Sequence, residues 1–271
     1  MSPDSEIIDF YAMIRDYWRD LTAFRSTGPT VMLNFGYWAA GATDLHLAQQ
    51  TFVDLIVHHL PAPLRSGHGL EIGCGIGGIS IGVLQRLPLA HLVGVDISEQ
   101  QLALASRNAA QAGLAGRFRP TPGNSMDLPL PDEAFDFTLC IESSFHYPDK
   151  PRFLEENFRV LKPGGTAIIA DITCTHPEHV RFRQGNHFEA PGFYREHIGR
   201  AGFALQHEQD IGPQVYSPLY RHVLAFNAQH RSAVSKYWSM VLSNYDKLQQ
   251  AGEMGYHLFV MSKPPATAPD A

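Results

Sequence analysis

Apolar and aromatic side chains recur at helical spacing from about Glu6 to Phe24. The positions are Ile7, Ile8, Phe10, Tyr11, Ile14, Trp18 and Leu21, and they predict an N-terminal helix. A turn at Gly28-Pro29 follows, then an aromatic stretch from Met32 to Trp38. A second helix is expected from about Thr43 to His59, ending before Pro61. From there short apolar runs alternate with helical segments. Gly69–Ile72, Leu92–Asp96, Phe135–Ile141, Thr166–Ile172 and Phe203–Asp210 read as strands, with helices near Gly78–Arg86, Gln100–Ala112 and Pro151–Leu161. Such alternation implies right-handed crossovers and a mostly parallel sheet with helices on both faces. Pro213 to Gly252 breaks the rhythm and reads as helical. Tyr256–Met261 returns as a strand, and Pro264–Ala271 has no pattern. No repeat or low-complexity linker divides the chain, so one domain is expected.

The first strand runs into a glycine-rich turn, Leu70-Glu71-Ile72-Gly73-Cys74-Gly75-Ile76-Gly77-Gly78, which opens a helix. A strand, turn and helix of this kind set backbone N–H groups at a helix N-terminus, and glycines let a ligand approach them. Gly73, Gly75 and Gly78 satisfy the dinucleotide fingerprint G-x-G-x-x-G. Asp96 ends the next strand, where a carboxylate can take both hydroxyls of a ribose. On these features alone a nicotinamide dinucleotide and S-adenosylmethionine (SAM) fit about equally.

Further residues separate the two. Glu71 precedes the first glycine by two positions. Gly123-Asn124-Ser125-Met126-Asp127-Leu128-Pro129 precedes Phe135-Asp136, and Arg159-Val160-Leu161-Lys162-Pro163-Gly164-Gly165 precedes a strand. In these motifs, taken in order, the sequence resembles the class I SAM-dependent methyltransferases, from the glycine turn through Asp171 and more loosely to the last strand. The resemblance implies an α/β fold: a Rossmann-like, doubly wound, seven-stranded, mostly parallel sheet with a reversed last strand and a helical lid. It divides the chain into an N-terminal lid segment (1–42), a SAM-binding core (43–211), a helical cap (212–255), the last strand (256–263) and a flexible tail (264–271).

The resemblance also implies a cofactor site. Glu71, Gly73 and Gly75 would line the methionine end of SAM. Asp96 would take the ribose hydroxyls with help from Gln101, and Ile97 would pack on the adenine. Asn124 stands where the family usually has an aspartate reading the adenine amino group. An amide oxygen can still accept that bond. Ser125 and Met126 would complete the adenine wall, and Ile141 would offer backbone to the methionine moiety. Phe35-Gly36-Tyr37-Trp38 resembles the segment that closes over SAM in small-molecule enzymes of this kind, with Tyr37 and Tyr11 near the methionine carboxylate. S-adenosylhomocysteine (SAH) would be the product.

Ligands of open α/β sheets bind beyond the carboxyl ends of the strands. Two such ends carry chemistry here: Ile141-Glu142-Ser143-Ser144-Phe145-His146-Tyr147-Pro148-Asp149, and Ala170-Asp171. The first resembles methyltransferases acting on lipids, sterols and natural products, several of which place a histidine where His146 stands. A neutral alcohol must lose its proton on methylation, which a histidine titrating near neutral pH suits. His146 is therefore the expected general base, with Asp171 orienting or acidifying the same site; the alternatives are packing or a backbone bond for His146 and a helix-cap or loop carboxylate for Asp171. Glu142 would serve an alkene acceptor, or else be structural. The acceptor is expected to be a small, fairly hydrophobic natural product or lipid-like molecule, methylated on oxygen. Methylation of carbon or nitrogen, and a SAM-binding protein whose methyl transfer is lost or diverted, remain open.

Between the last two strands Tyr216, Tyr220, Phe226, Tyr237, Trp238, Met240 and Tyr245 supply apolar surface for a cap over such an acceptor. A homodimer interface would use the same composition.

Composition changes this picture only by exclusion. Across 271 residues the formal net charge is -6 and there is no Lys/Arg block, so neither nucleic acid nor an anionic membrane is an expected partner. No apolar run nears the roughly 18 residues of a membrane helix, and the acidic start lacks a signal-peptide core, which makes the cytoplasm the expected compartment. Cys74, Cys140 and Cys174 have no metal-ligand spacing and read as reduced core fillers. His176, His179 and His187 invite a metal reading, but no third ligand stands at a diagnostic spacing, so no metal is expected.

Overall fold

The computed structural model describes residues 3–24, 32–39, 41–182 and 185–266. The turn expected at Gly28-Pro29 and most of the tail fall outside them. Helix α1 (Pro3–Ala23) is followed along the chain by α2 (Leu45–His59). Then come β1 (His68–Ile72), α3 (Gly78–Arg86), β2 (His91–Asp96), α4 (Glu99–Gln111), β3 (Phe118–Pro122), β4 (Phe135–Ile141), α5 (Lys150–Val160) and β5 (Leu161–Cys174). The chain closes with α6 (Pro191–Arg200), β6 (Ala204–Asp210), α7 (Tyr216–Asn227), α8 (Ala233–Gln250) and β7 (Met254–Ser262).

The seven strands lie in the order β3-β2-β1-β4-β5-β7-β6. All pairs are parallel except those of β7, which runs antiparallel to both β5 and β6. Central strands are apolar on both faces, as a sheet covered on both sides requires. Along β5, Ala167 and Ile169 face one core while Ile168 and Ala170 face the other. The first core is closed by α5 and α6 through Phe153 and Ile198. The second is closed by Trp18 of α1, Phe52 of α2 and Leu242 of α8, among others.

Two elements escape the hydrophobic pattern. Strand β3 has the sequence Phe-Arg-Pro-Thr-Pro and pairs only with β2, so its prolines sit at a sheet edge where a missing donor is tolerated. Helix α6 starts at Pro191-Gly192 and buries only Tyr194 and Ile198. Strand β5 also reaches further back than Thr166. Leu161 pairs with Phe135 and Thr166 with Phe137, so residues 162–165 bulge out between two successive pairs. Lys263 ties that bulge down through its backbone N–H to Gly165 O at 3.0 Å.

Candidate active site

A cleft of about 1120 Å³, counted with its open mouth, lies at the carboxyl ends of β1, β2 and β4. The glycine turn forms its floor. The N–H groups of Gly73 and Cys74 both donate to Val95 O, at 2.8 and 3.0 Å, and strap the turn to β2. Gly73 has φ of 77° and a Cβ there would stand 2.1 Å from Ser143 Oγ, so conformation and space both demand glycine. Gly75 (φ 52°) is different: its nearest obstruction is Gln101 Oε1 at 3.1 Å, which leaves the space above its backbone to a ligand. Gly78 rather than Gly77 faces the cleft, since a Cβ on Gly77 would meet Phe118 and Ala105.

At the end of β2, Asp96 accepts from Gly75 N at 2.8 Å and Ser98 N at 2.9 Å. A carboxylate offers about four lone-pair directions, so acceptor capacity remains for a ribose hydroxyl. Beside it Ile97 is 43 % exposed within the cleft lining, an apolar face left open. Across the cleft Asn124 Oδ1 accepts from Met126 N at 2.9 Å. That turns one amide lone pair inward and leaves the Nδ2 donor at the cleft wall. Glu71 sits at the base of the site, where it accepts from the Ser80 hydroxyl; burial pushes its carboxyl up to about 8.

A second cavity of about 570 Å³ adjoins the first. Trp18 of α1, Phe35, Phe145 and Ile172 line it, with Tyr237, Trp238 and Tyr245 of α8. Tyr11, Leu33, Glu142 and His146 line both spaces and form the wall between them. Here the functional side chains converge. His146 Nδ1 lies 3.1 Å from Gly185 O, which can only accept, so that nitrogen carries the proton. Nε2 is then the lone-pair nitrogen, and the Tyr11 hydroxyl donates to it at 3.0 Å. Burial lowers the His146 pKa to about 4, which keeps the ring neutral at physiological pH.

Glu142 holds a left-handed backbone (φ 48°), unusual for a residue with a side chain. Its N–H donates to Ala170 O at 2.8 Å, and its Oε1 accepts from Phe35 N at 2.7 Å and the Tyr256 hydroxyl at 2.8 Å. Burial and the nearby Asp171 charge push its pKa up to about 8. At neutral pH its protonated form prevails, with Oε1 held by these two donors.

All of the expected site residues line one or both cavities except Tyr37 and Asp171. Tyr37 lies outside the lining. Gly36 (φ 76°) reverses the chain, and the next two N–H groups are bound to Ala48 O (2.9 Å) and Gln214 O (2.8 Å). Leu33 and Phe35 therefore face the cavities while Tyr37 packs against the apolar core. Asp171 does not touch His146. It is fully buried and accepts from the Ser144 hydroxyl, from Phe145 N (2.8 Å) and from Ile172 N (2.7 Å). It thereby fixes the turn Ser144–His146 that carries the histidine. Burial pushes Asp171 up to about 6 against these bonds.

The aromatic cap also divides. Tyr237, Trp238 and Tyr245 face the second cavity, whereas Tyr216 is buried with its hydroxyl on Gly255 O (2.9 Å) and Met240 is 53 % exposed. Trp18, Phe145 and Asn186 join the lining without a sequence signal, because only the closed tertiary fold brings them there. His179 pairs with Glu253 (2.6 Å) and His176 with Glu178 (3.2 Å) at the surface. Among the described residues, no three His, Cys, Asp or Glu side chains are grouped to hold a metal ion, and no helix is long and apolar enough to cross a membrane.

Residues 70–169 match the family model described as a methyltransferase domain. The chain is 33 % identical over 141 residues to erythromycin 3''-O-methyltransferase of Saccharopolyspora erythraea, covering 52 % of this chain and 45 % of that protein. It is 26 % identical over 250 residues to 27-O-demethylrifamycin SV methyltransferase of Amycolatopsis mediterranei, covering 86 % of this chain and 90 % of that one. It spans about half the length of the first curated relatives it matches. Among solved structures, the [4+2]-cyclase SpnF superposes with a TM-score of 0.78 at 22 % identity, covering 95 % of this chain and 96 % of that one. That likeness establishes the fold: the Rossmann-like sheet with a reversed last strand.

Proposed function

From the match of residues 70–169 to a methyltransferase domain, we propose that this chain is a class I, SAM-dependent enzyme that transfers a methyl group from SAM to a small, fairly hydrophobic natural-product or lipid-like acceptor. One observation carries the reading: a cleft whose backbone and carboxylate groups suit a nucleoside and a cavity rich in aromatic side chains meet at a wall made by Tyr11, Leu33, Glu142 and His146. The cleft's donor set fits SAM. Asp96 keeps acceptor capacity for a ribose hydroxyl, Ile97 and Met126 offer apolar faces to the adenine with Ser125 and Asn124 beside them, and Gln101 stands over Gly75. Glu71, Gly73 and Ile141 surround the methionine end. SAM supplies an electrophilic methyl group on a sulfonium.

The chain's own residues then have three tasks. They hold the acceptor in line, which can provide roughly 7–11 kcal/mol of the barrier when alignment is right. They exclude water, through the aromatic lining from α1 and α8. They also remove a proton, and O-methylation is the reading we favour because His146 is neutral and its lone-pair nitrogen Nε2, bonded to the Tyr11 hydroxyl, lies at the wall. With SAM bound, the acceptor oxygen would gain the methyl group as the carbon–sulfur bond breaks, and His146 Nε2 would take the hydroxyl proton. The Tyr11 hydroxyl either relays it or swings aside.

Compounds labelled on incubating extracts with methyl-labelled SAM, identified by mass spectrometry, test the assignment. A labelled ether of an apolar alcohol or phenol is expected. Label on carbon or nitrogen would overturn the O-methyl reading, and SAM binding without any label would favour a diverted activity.

A further inference from the structure

The second cavity is lined by polar atoms with no part in the proton transfer: the Tyr237 and Tyr245 hydroxyls, the buried and unpartnered Trp18 Nε1, and an amide oxygen. That oxygen is Oδ1 of Asn186, which is buried without a hydrogen-bond partner. A buried amide oxygen left unsatisfied costs roughly 1–3 kcal/mol, so it calls for an explanation. Mobility of the loop does not supply one, because both neighbours are tied down. Gly185 O accepts from His146 Nδ1 at 3.1 Å. His187 donates its N–H to Phe145 O at 2.6 Å and accepts from the buried Lys150 ammonium through its carbonyl. Asn186 is thus fixed between two anchors, on the same cavity wall as the histidine its neighbour orients.

We propose that Asn186 is a specificity-determining residue that accepts a hydrogen bond from an uncharged O–H or N–H group of the acceptor. This rests on the methyltransferase reading above. Tyr11, Glu142 and His146 belong to the wall shared with the cofactor cleft. The other polar side-chain atoms of the described lining are phenol hydroxyls and indole N–H groups on aromatic rings, so Asn186 Oδ1 is the pure acceptor outside that wall. The selected class is therefore a neutral, largely apolar molecule carrying a hydrogen-bond donor, held by Asn186 with its reacting atom turned toward His146. A site with an unpaired acceptor discriminates strongly against an analogue that lacks the donor, since that analogue leaves the oxygen desolvated and unpaired.

The probes are 2-naphthol and naphthalene, titrated into the SAH-loaded full chain while Trp18 and Trp238 fluorescence is followed. SAH affinity is measured first by calorimetry, so failure to bind SAH counts against the methyltransferase reading and not against this one. Wild type is expected to prefer the naphthol. Asn186→Leu, and independently Asn186→Ala, is expected to reduce that preference about tenfold while leaving SAH affinity unchanged. Asn186→Leu is also expected to leave the melting temperature of the free protein unchanged or raised, because it removes an unsatisfied group; a structural asparagine would lower it. An unchanged naphthol preference in both variants, a lowered melting temperature with Asn186→Leu, or no naphthol binding to SAH-loaded wild type overturns the proposal.

Discussion

The cleft over the glycine turn takes its shape from backbone, and the cavity beneath α8 takes its shape from side chains. In the first, Gly73, Cys74, Gly75, Asp96 and Ile97 come from two adjacent strand ends, bound by Gly73 N and Cys74 N to Val95 O and by Gly75 N to Asp96. In the second, Trp18, Phe35, Phe145, Asn186 and Trp238 come from segments scattered from α1 to α8, and side-chain packing brings them together. A backbone cradle is insensitive to most changes around it and suits a constant cofactor. A side-chain cavity can be reshaped one residue at a time, as a varied acceptor demands.

Changes at the shared wall break this comparison most sharply. His146→Ala is expected to reduce turnover by about 10²–10⁴-fold with SAM affinity retained; steady-state kinetics with calorimetry checks both. Because the neutral form prevails above about 4, His146 itself imposes no loss of rate between pH 5.5 and 7. Tyr11→Phe keeps the ring and removes the hydroxyl bonded to Nε2. If that hydroxyl relays the proton, turnover falls about tenfold, with SAM affinity again unchanged.

Smaller effects concern the buried acids. Glu71 and Glu142 have folded-state pKa values of about 8, above the unfolded value of 4.5. Their contribution is fully present below pH 4.5 and is lost as pH rises through 8. Thermal unfolding is expected to show this decline from about pH 5 to 8 with a levelling above, and Glu142→Gln should flatten it. A cation at the methionine end would lower the Glu71 pKa. Binding of SAM at pH 7 is then expected to release a fraction of a proton, read as an enthalpy that changes with the buffer's ionisation enthalpy.

Legibility in the sequence follows the same division. The glycine turn, Asp96, Ile97 and the Asn124-Ser125-Met126 segment are short contiguous runs whose order carries their meaning, and they come together in the cleft. The central strands were legible because both faces are apolar. Strand β3 was hidden by edge prolines and α6 by its largely exposed surface. Tyr37 lies outside the lining of both cavities because Gly36 reverses the chain one residue earlier. The expected His146–Asp171 pair dissolves because Asp171 is spent on the turn below the ring, while Tyr11 and Gly185 hold the imidazole. Asn186 carried no signal: an isolated asparagine in a loop acquires meaning only from the burial of its oxygen.

Calorimetric titration of SAM and of NAD into wild type and Asp96→Ala tests the central claim most directly, that the backbone cleft holds the methyl donor. Wild type should bind SAM and not NAD, and Asp96→Ala should weaken SAM binding about tenfold or more through loss of hydrogen bonds to a charged group. SAM affinity unchanged by Asp96→Ala, or binding of NAD in place of SAM, would contradict it.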